Sequence, residues 1–314
     1  MARHDLIPIS PASAPAAADT RPWGEKLARL RERLASLGAV VVAYSGGVDS
    51  SVLLRVAHET LGERAFGVIG RSDSYATREL ELAREQAARF GARVEVVTTG
   101  ELADPNFRSN PANRCYHCKN ELYRKLRAVA DRRGAQAVVD GTIRDDLGDW
   151  RPGRRAAEES GVESPLAELG FTKADVRAVA AHFGLASHDK PASPCLASRI
   201  PYGSEITREK LVAVERAEAV LQAQGFRELR VRHHGDTARI EVPAEDIVRL
   251  ADPAVRGAVV EALKPLGFLF VTLDLEGFRS GSLNAALGPS GSPARPAADG
   301  VPPATHASPA WRQT

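Results

Sequence analysis

Apolar positions in the first half of the chain switch repeatedly between two spacings. Trp23–Leu37 carries its large apolar residues three and four apart, the period of a helix, and Ala39–Tyr44 follows as an unbroken apolar run of strand length. Helical spacing returns over 49–61, 76–90 and 119–133, and short apolar runs recur over 65–70, 93–98 and 136–140. Strands buried on both faces read as continuous apolar runs, and intervening helices supply the crossovers that parallel strands need. The pattern predicts an α/β fold, a parallel sheet with helices on both faces. Ligands of such sheets sit beyond the carboxyl ends of the strands.

The second half changes character. A helix over 172–182 leads into a Pro/Ser/Gly-rich loop, His188–Gly203. A helix over 207–224 follows, then strands over 228–233 and 237–242 about the turn Gly235-Asp236, a helix over 253–264 and a strand over 268–273. That order predicts a small C-terminal α+β domain. The chain thus divides into a tail (1–20), a first domain (21–200), a second domain (201–284) and another tail (285–314). Both tails are dominated by small residues and proline, which bury too little surface to offset chain entropy.

Composition narrows the class. The 314 residues are 43% hydrophobic, enough for a packed core, and the formal net charge of +2 argues against a general polyanion binder. Apolar runs are strand-sized, and Pro8, Pro11 and Pro15 interrupt the N-terminus where an export signal would be apolar. Three cysteines, an odd number, do not suit a disulfide scaffold. The expectation is a cytoplasmic enzyme with a small-molecule substrate and neither nucleic acid nor membrane as partner.

The strand Ala39–Tyr44 runs straight into Ser45-Gly46-Gly47-Val48-Asp49-Ser50-Ser51. Two glycines allow a tight turn whose N–H groups approach an anion, and the next helix points its positive end at the same place. Ser45, Ser50 and Ser51 can add hydroxyl donors, and Asp49 suits the Mg²⁺ that accompanies ATP. A kinase-type loop needs a lysine on the outer phosphates; none lies between Lys26 and Lys119. Terminal phosphoryl transfer is therefore disfavoured. The plainer reading is a Ser-capped Gly-Gly turn, which five fixed residue types in six positions make poor. The segment resembles the SGGxDS loop of the PP-loop ATP pyrophosphatases, and that resemblance implies cleavage between the α and β phosphates with adenylation of a substrate oxygen. Gly70-Arg71-Ser72-Asp73-Ser74 and Asp140-Gly141-Thr142, at two further strand ends, suit an adenine nucleotide, with Arg71, Ser72, Gly141 and Thr142 as contacts; each also reads as a simple strand-to-helix turn.

Cys115-Tyr116-His117-Cys118 is a C-x-x-C at a helix start, and Cys195 lies 80 residues later in the Pro-rich loop. Thiols near a helix start and near Arg114, Lys119 and Arg199 are expected to have lowered pKa values and to be ready for a metal or for attack. Structural zinc, with His117 or His188 as fourth ligand, a redox dithiol, and a three-cysteine [4Fe–4S] cluster all fit the spacing.

Residues 114–119 (RCYHCK), 141–153 (GTIRDDLGDWRPG), 190–203 (KPASPCLASRIPYG) and 231–236 (VRHHGD) together resemble the LarE family of ATP-dependent sulfur transferases. The similarity spans about residues 24–276. It implies adenylation of a carboxylate of a pyridinium-3,5-biscarboxylate mononucleotide and its conversion to a thiocarboxylate for the nickel-pincer nucleotide of lactate racemase. One branch of the family sacrifices the sulfur of a cysteine equivalent to Cys195; in the other, three cysteines bind a [4Fe–4S] cluster that delivers sulfide. The C-x-x-C places this chain with the cluster branch, so Cys115, Cys118 and Cys195 are the expected iron–sulfur ligands. The resemblance also implies a PP-loop first domain, a homo-oligomer, and partners that donate sulfide and insert nickel.

Sulfur cannot displace oxide from a carboxylate; adenylation makes AMP the leaving group. Lys119 is the candidate for stabilising the developing charge, against an ordinary solvated helix lysine. Asp145, Asp146 and Asp149 could bind Mg²⁺ or pair with Arg151 and Arg154; the resemblance favours Asp146 as the catalytic acidic residue. Ser198, Arg199, Arg230 and Arg232 suit a substrate phosphate, and Arg230 and Arg232, two apart on a strand, share a face. The resemblance selects Ser198, Arg230 and Arg232; the plain alternative is a solvent-facing strand surface. His233 and His234, adjacent on a strand, point to opposite faces and read as structural. Other PP-loop activities (tRNA thiolation, queuosine-precursor synthesis, amide formation) and a zinc-containing ATP-binding module are the alternatives.

Overall fold

The computed structural model describes residues 21–148, 152–191, 193–279 and 281–283. Both tails, Asp149 and Arg151 lie outside these residues. The first half runs α1 (Trp23–Leu37), β1 (Val40–Ala43), α2 (Val48–Leu61), β2 (Ala65–Arg71), α3 (Thr77–Arg89), β3 (Val94–Thr98), α4 (Pro105–Arg108), α5 (Arg114–Arg133), β4 (Ala137–Val139), α6 (Pro152–Glu159), α7 (Pro165–Glu168) and α8 (Lys173–His182). The second runs α9 (Arg208–Ala223), β5 (Arg230–His234), β6 (Thr237–Glu241), α10 (Ile247–Ala251), α11 (Pro253–Leu263) and β7 (Phe270–Leu273).

Strands β1–β4 form one parallel sheet in the order β3-β2-β1-β4. Successive side chains of a strand point to opposite faces, and both faces here are apolar. Val40 and Val42 pack with α1, α2 and α8 residues such as Leu30, Leu53 and Val179, while Val41 between them packs with Tyr123, Leu126 and Val129 of α5. The order places β1 centrally, between β2 and β4. The loop after β1 therefore opens at the middle of the sheet's carboxyl edge.

Helix α5 begins five residues before the predicted 119, at Arg114, so the whole C-x-x-C lies in its first turns. Arg114 is buried, donates to Asn110 Oδ1 at 3.0 Å and stacks on Tyr202, 4.8 Å from the ring centroid. Those contacts stabilise a helix start that residue propensity alone does not announce.

The second sheet has the order β5-β6-β7, antiparallel between β5 and β6 and parallel between β6 and β7. The short α10, absent from the sequence pattern, precedes α11. Leu221, Phe226, Val231, Ile240 and Phe268 are among its separate core. A third cluster, containing Phe107, Leu196, Ile200, Ile206 and Leu211, joins α4, the Cys195 segment and α9. Among the described residues no helix is long and apolar enough to cross a membrane.

Candidate active site

A cleft of about 390 Å³ opens at the carboxyl edge of the first sheet. Its floor is the loop after β1. Gly46 takes φ +70°, and a Cβ there would lie 2.6 Å from the Cβ of Ala83, so glycine is required by conformation and by space. Ser45 Oγ is 3.2 Å from Ser50 Oγ, and the Ser50 and Ser51 hydroxyls donate to the carbonyl oxygen of Gly47 at 3.1 and 2.8 Å. The loop is thus wound tightly onto the N-terminus of α2, whose unpaired N–H groups favour an anion. Ser45, Gly47, Asp49 and Ser50 line the cleft. Ser51 is fully buried and serves the turn itself, accepting from Gln86 Nε2 as well. Gly46 shapes the turn from behind.

Ser72, Gly141 and Thr142 also line the cleft; Arg71, at the end of β2, is exposed and does not. A Cβ on Gly141 would stand 2.7 Å from the backbone nitrogen of Ser50, so the end of β4 comes this close to the start of α2 only because residue 141 has no side chain.

The opposite wall carries two of the three cysteines. Cys118, Lys119 and Cys195 all line the cleft. Lys119 lies over the ring of Tyr123, 5.3 Å from its centroid, and Tyr123 donates to Asp140 Oδ2 at 2.9 Å. The Tyr123 phenol and then Asp140 and Cys118 push the Lys119 pKa up against the effect of burial, so the ammonium is fixed in its charged form. The Tyr123 phenol is itself pushed up to about 12, chiefly by burial. Contrary to the lowered thiol pKa expected from the neighbouring basic residues, Cys118 is pushed up strongly, first by burial, then by Glu101 and the neighbouring Cys195.

Glu101 was not singled out by sequence because it lies in an irregular stretch between β3 and α4. It is 3% exposed, accepts from Ser74 Oγ at 2.9 Å, sits 4.0 Å from Cys118 Sγ, and keeps its Oε2 without a hydrogen-bond partner. Tyr75, another cleft residue, donates to the carbonyl oxygen of Ser45 at 2.8 Å.

Cys195 is carried on a short turn pinned from both sides. The Leu196 N–H donates to the carbonyl of Ser74 at 2.8 Å, and Arg199 Nη1 donates to the carbonyls of Pro194 and Cys195 at 2.6 and 3.1 Å. Arg199 is buried and grips Glu218 through two bonds of 2.8 and 2.9 Å. Arg232, also buried, grips Glu241 in the same way at 3.0 and 2.8 Å and donates to the carbonyl of Ser198 at 2.8 Å. Arg230 stacks on Phe278 at 5.0 Å; burial, reinforced by Arg199, lowers its pKa to about 10. Arg230 and Arg232 are therefore interior, not on a solvent-facing strand surface. Arg232 is held inside by Glu241 of the neighbouring strand β6, and Glu218 of α9 accepts from the Val231 N–H between the two arginines at 3.1 Å. Ser198 and these three arginines do not themselves line the cleft.

The acidic residues divide. Asp49 and Asp146 both line the cleft, and burial chiefly, with Asp146 adding to it, raises the Asp49 pKa while Lys173 opposes the rise. Two carboxylates beside a phosphate-binding turn suit Mg²⁺, which completes its shell with phosphate and water. Asp145 accepts from the Lys173 N–H at 2.8 Å, and Arg154 pairs with Glu158. His233 and His234 belong to β5 and do not line the cleft.

The thiols fit a metal less well. Cys115 is exposed, whereas Cys118 and Cys195 are half-buried on the cleft. His117 turns toward Asp104 (3.7 Å) in a second recess, and His188 Nδ1 contacts the carbonyl of Leu185 at 3.0 Å. Among the described residues no three His, Cys, Asp or Glu side chains converge as ligands of one metal ion.

A central strand delivering a Ser-Gly-Gly loop to a helix N-terminus, in a parallel sheet of this order, is the ATP site of a PP-loop enzyme. Sequence comparison agrees: the chain is 30% identical over 216 residues to one subunit of the glutamine-hydrolyzing GMP synthase of Archaeoglobus fulgidus, covering 62% of this chain and 67% of that one. It is 40% identical over 264 residues to the pyridinium-3,5-bisthiocarboxylic acid mononucleotide synthase of Lactiplantibacillus plantarum (83% of this chain, 95% of the relative). It is 47% identical over 262 residues to an uncharacterized protein of Synechocystis (83% and 98%). No family model matches the chain. The chain belongs to the LarE family of ATP-dependent sulfur transferases.

Proposed function

We propose that this protein uses ATP to convert a carboxylate of pyridinium-3,5-biscarboxylic acid mononucleotide into a thiocarboxylate, in the assembly of the nickel-pincer cofactor of lactate racemase. The observation that carries the reading is the sharing of one cleft by the Ser45–Ser51 loop, Lys119, Cys118 and Cys195. The name of the Lactiplantibacillus relative supplies the substrate.

On this reading the substrate carboxylate attacks the α-phosphorus, the bond to the β-phosphate breaks, and pyrophosphate leaves. Ser45, Ser50 and the N–H groups at the start of α2 hold the phosphates, with Ser72, Gly141 and Thr142 beside the nucleoside. Mg²⁺, held by Asp49 and Asp146, would neutralise phosphate charge. A sulfur nucleophile then attacks the acyl carbon, the carbon–oxygen bond to AMP breaks, and Lys119 stabilises the charge on the departing phosphate. Ser198, Arg230 and Arg232 receive the substrate's own phosphate.

Cys195 is the sulfur-handling residue common to both supply routes. Its own sulfur could be transferred, leaving dehydroalanine. A second reading, a [4Fe–4S] cluster on Cys115, Cys118 and Cys195, is favoured by the two thiols that already border the cleft; Cys115 would have to turn inward from the exposed start of α5. Pyrophosphate release that depends on the pyridinium dicarboxylate tests the activity. Mass spectrometry of chain and product after one turnover, with iron and sulfide analysis of anaerobically purified protein, separates the routes. Loss of thiocarboxylate but not of pyrophosphate release is expected for Cys195→Ala; for Cys115→Ala the same result supports the cluster. Full thiocarboxylate production by Cys195→Ala would refute the reading.

A further inference from the structure

Lys173 opens α8, yet its ammonium donates to both carboxylate oxygens of Asp49 at 2.7 Å, across 124 residues of sequence. The start of α8 is fixed firmly. Thr172 and Asp175 form a reciprocal cap, with Asp175 N–H donating to Thr172 Oγ1 at 3.1 Å and Thr172 N–H to Asp175 Oδ2 at 2.9 Å. Asp175 in turn accepts from Lys26 at 2.8 Å, a lysine only 2% exposed that also donates to the carbonyl of Gly170 at 2.9 Å. Truncating one partner of such a buried pair is costly, so this arrangement holds the backbone of residue 173 in place. The Lys173 side chain is different. It is 45% exposed, and its head has room to travel on a flexible four-carbon stem.

The destination is close. Asp49 sits in the first turn of α2, in the wall of the cleft, beside the N–H groups that favour an anion. A kinase-type loop carries its phosphate lysine within the loop itself; this loop does not. The fold brings one to it from α8 instead. A cation taking up Asp49 would release the ammonium within one side-chain swing of the outer phosphates.

We propose that Lys173 is the phosphate lysine of this site, neutralising Asp49 before nucleotide binds and then moving to the β and γ phosphates of ATP and the pyrophosphate they become. The proposal rests on ATP being the nucleotide of the cleft. Because AMP lacks the phosphates in question, it serves as the internal control.

The test is equilibrium binding of ATP, pyrophosphate and AMP, each with Mg²⁺, to the full chain and to Lys173→Ala, Lys173→Met and Lys173→Arg, with thermal melts to register folding. Methionine keeps the apolar stem if alanine compromises the fold. At least a tenfold loss of ATP and pyrophosphate affinity is expected for alanine and methionine, AMP affinity within twofold of wild type, and substantial recovery with arginine. Equal losses for ATP and AMP would reduce Lys173 to a structural ion pair and overturn the proposal, as would unchanged ATP affinity. Failure of the wild-type chain to bind ATP at all would instead remove the ATP reading, and this inference with it.

Discussion

Arg199 Nη1 donates to the carbonyl oxygen of Cys195 at 3.1 Å while the rest of its guanidinium is locked on Glu218. The turn that carries Cys195 is thereby fastened to α9 by one buried cation. Arg199→Ala leaves Glu218 without its main partner in the interior, a change worth about 3–5 kcal/mol. Urea denaturation should register that loss. Arg199→Lys keeps the charge but not the fork; at least a tenfold fall in thiocarboxylate formation, with pyrophosphate release retained, is the expected split.

Gly141 is a spacer between β4 and α2. An added Cβ would meet Ser50 N at 2.7 Å, Ser50 Cα at 3.0 Å and the Asp49 carbonyl carbon at 3.1 Å, all backbone. Relief requires moving the start of α2, and overpacking of this kind costs about 1–3 kcal/mol. Gly141→Ala should fold with a lowered melting temperature and bind ATP at least tenfold more weakly. Wild-type affinity in that variant would show that the loop tolerates displacement.

Cys118 is a neutral thiol at pH 7, because burial, Glu101 and Cys195 all raise its pKa. Alkylation mapped by mass spectrometry should therefore lag at Cys118 behind the exposed Cys115. Glu101→Gln removes one of the charges that disfavour the thiolate, so the pKa falls and alkylation of Cys118 at pH 8 accelerates severalfold. An unchanged rate would mean that burial alone sets the reactivity.

His233 predicts an acid-side loss of stability. Its pKa is lowered by burial first and by Lys210 second, its ring packs 5.2 Å from that of Phe268, and its Nδ1 is buried without a partner. The folded state therefore binds the proton less readily than the unfolded chain. The contribution is complete above the unfolded value near 6.5 and is lost as pH falls through the lower folded value. Urea midpoints at pH 5 and 7.5 should differ less in His233→Gln than in wild type.

The phosphate loop and its sheet were legible because their causes are local. A continuous apolar run specifies a strand buried on both faces, and two glycines with three serines specify a turn that exposes N–H groups. The strand order was not, since β1 pairs with β2 and β4 through contacts that no periodicity encodes. Arg230 and Arg232 were readable as sharing a face, but which face depended on Glu218 and Glu241. Lys173 and Glu101 were invisible for the same reason: the partner that gives each its meaning, Asp49 or Cys118, is distant in sequence. The C-x-x-C was readable as a helix start, but the boundary at 119 fell five residues late because the support of Arg114 comes from Asn110 and Tyr202 and not from residues with strong helical preference.

Asn110 is fully buried at φ +55° and donates its amide to the carbonyls of Ile200, Pro201 and Ser204 while Arg114 donates to its side-chain oxygen. One asparagine thus stitches the segment after Cys195 to the helix that bears Cys115 and Cys118. The bonds that Asn110, Arg114 and Arg199 make in this frame join amide, guanidinium, carboxylate and carbonyl groups. A thiol could be consumed, capped or replaced while the scaffold stands, leaving natural selection free to change how sulfur is supplied without rebuilding the protein.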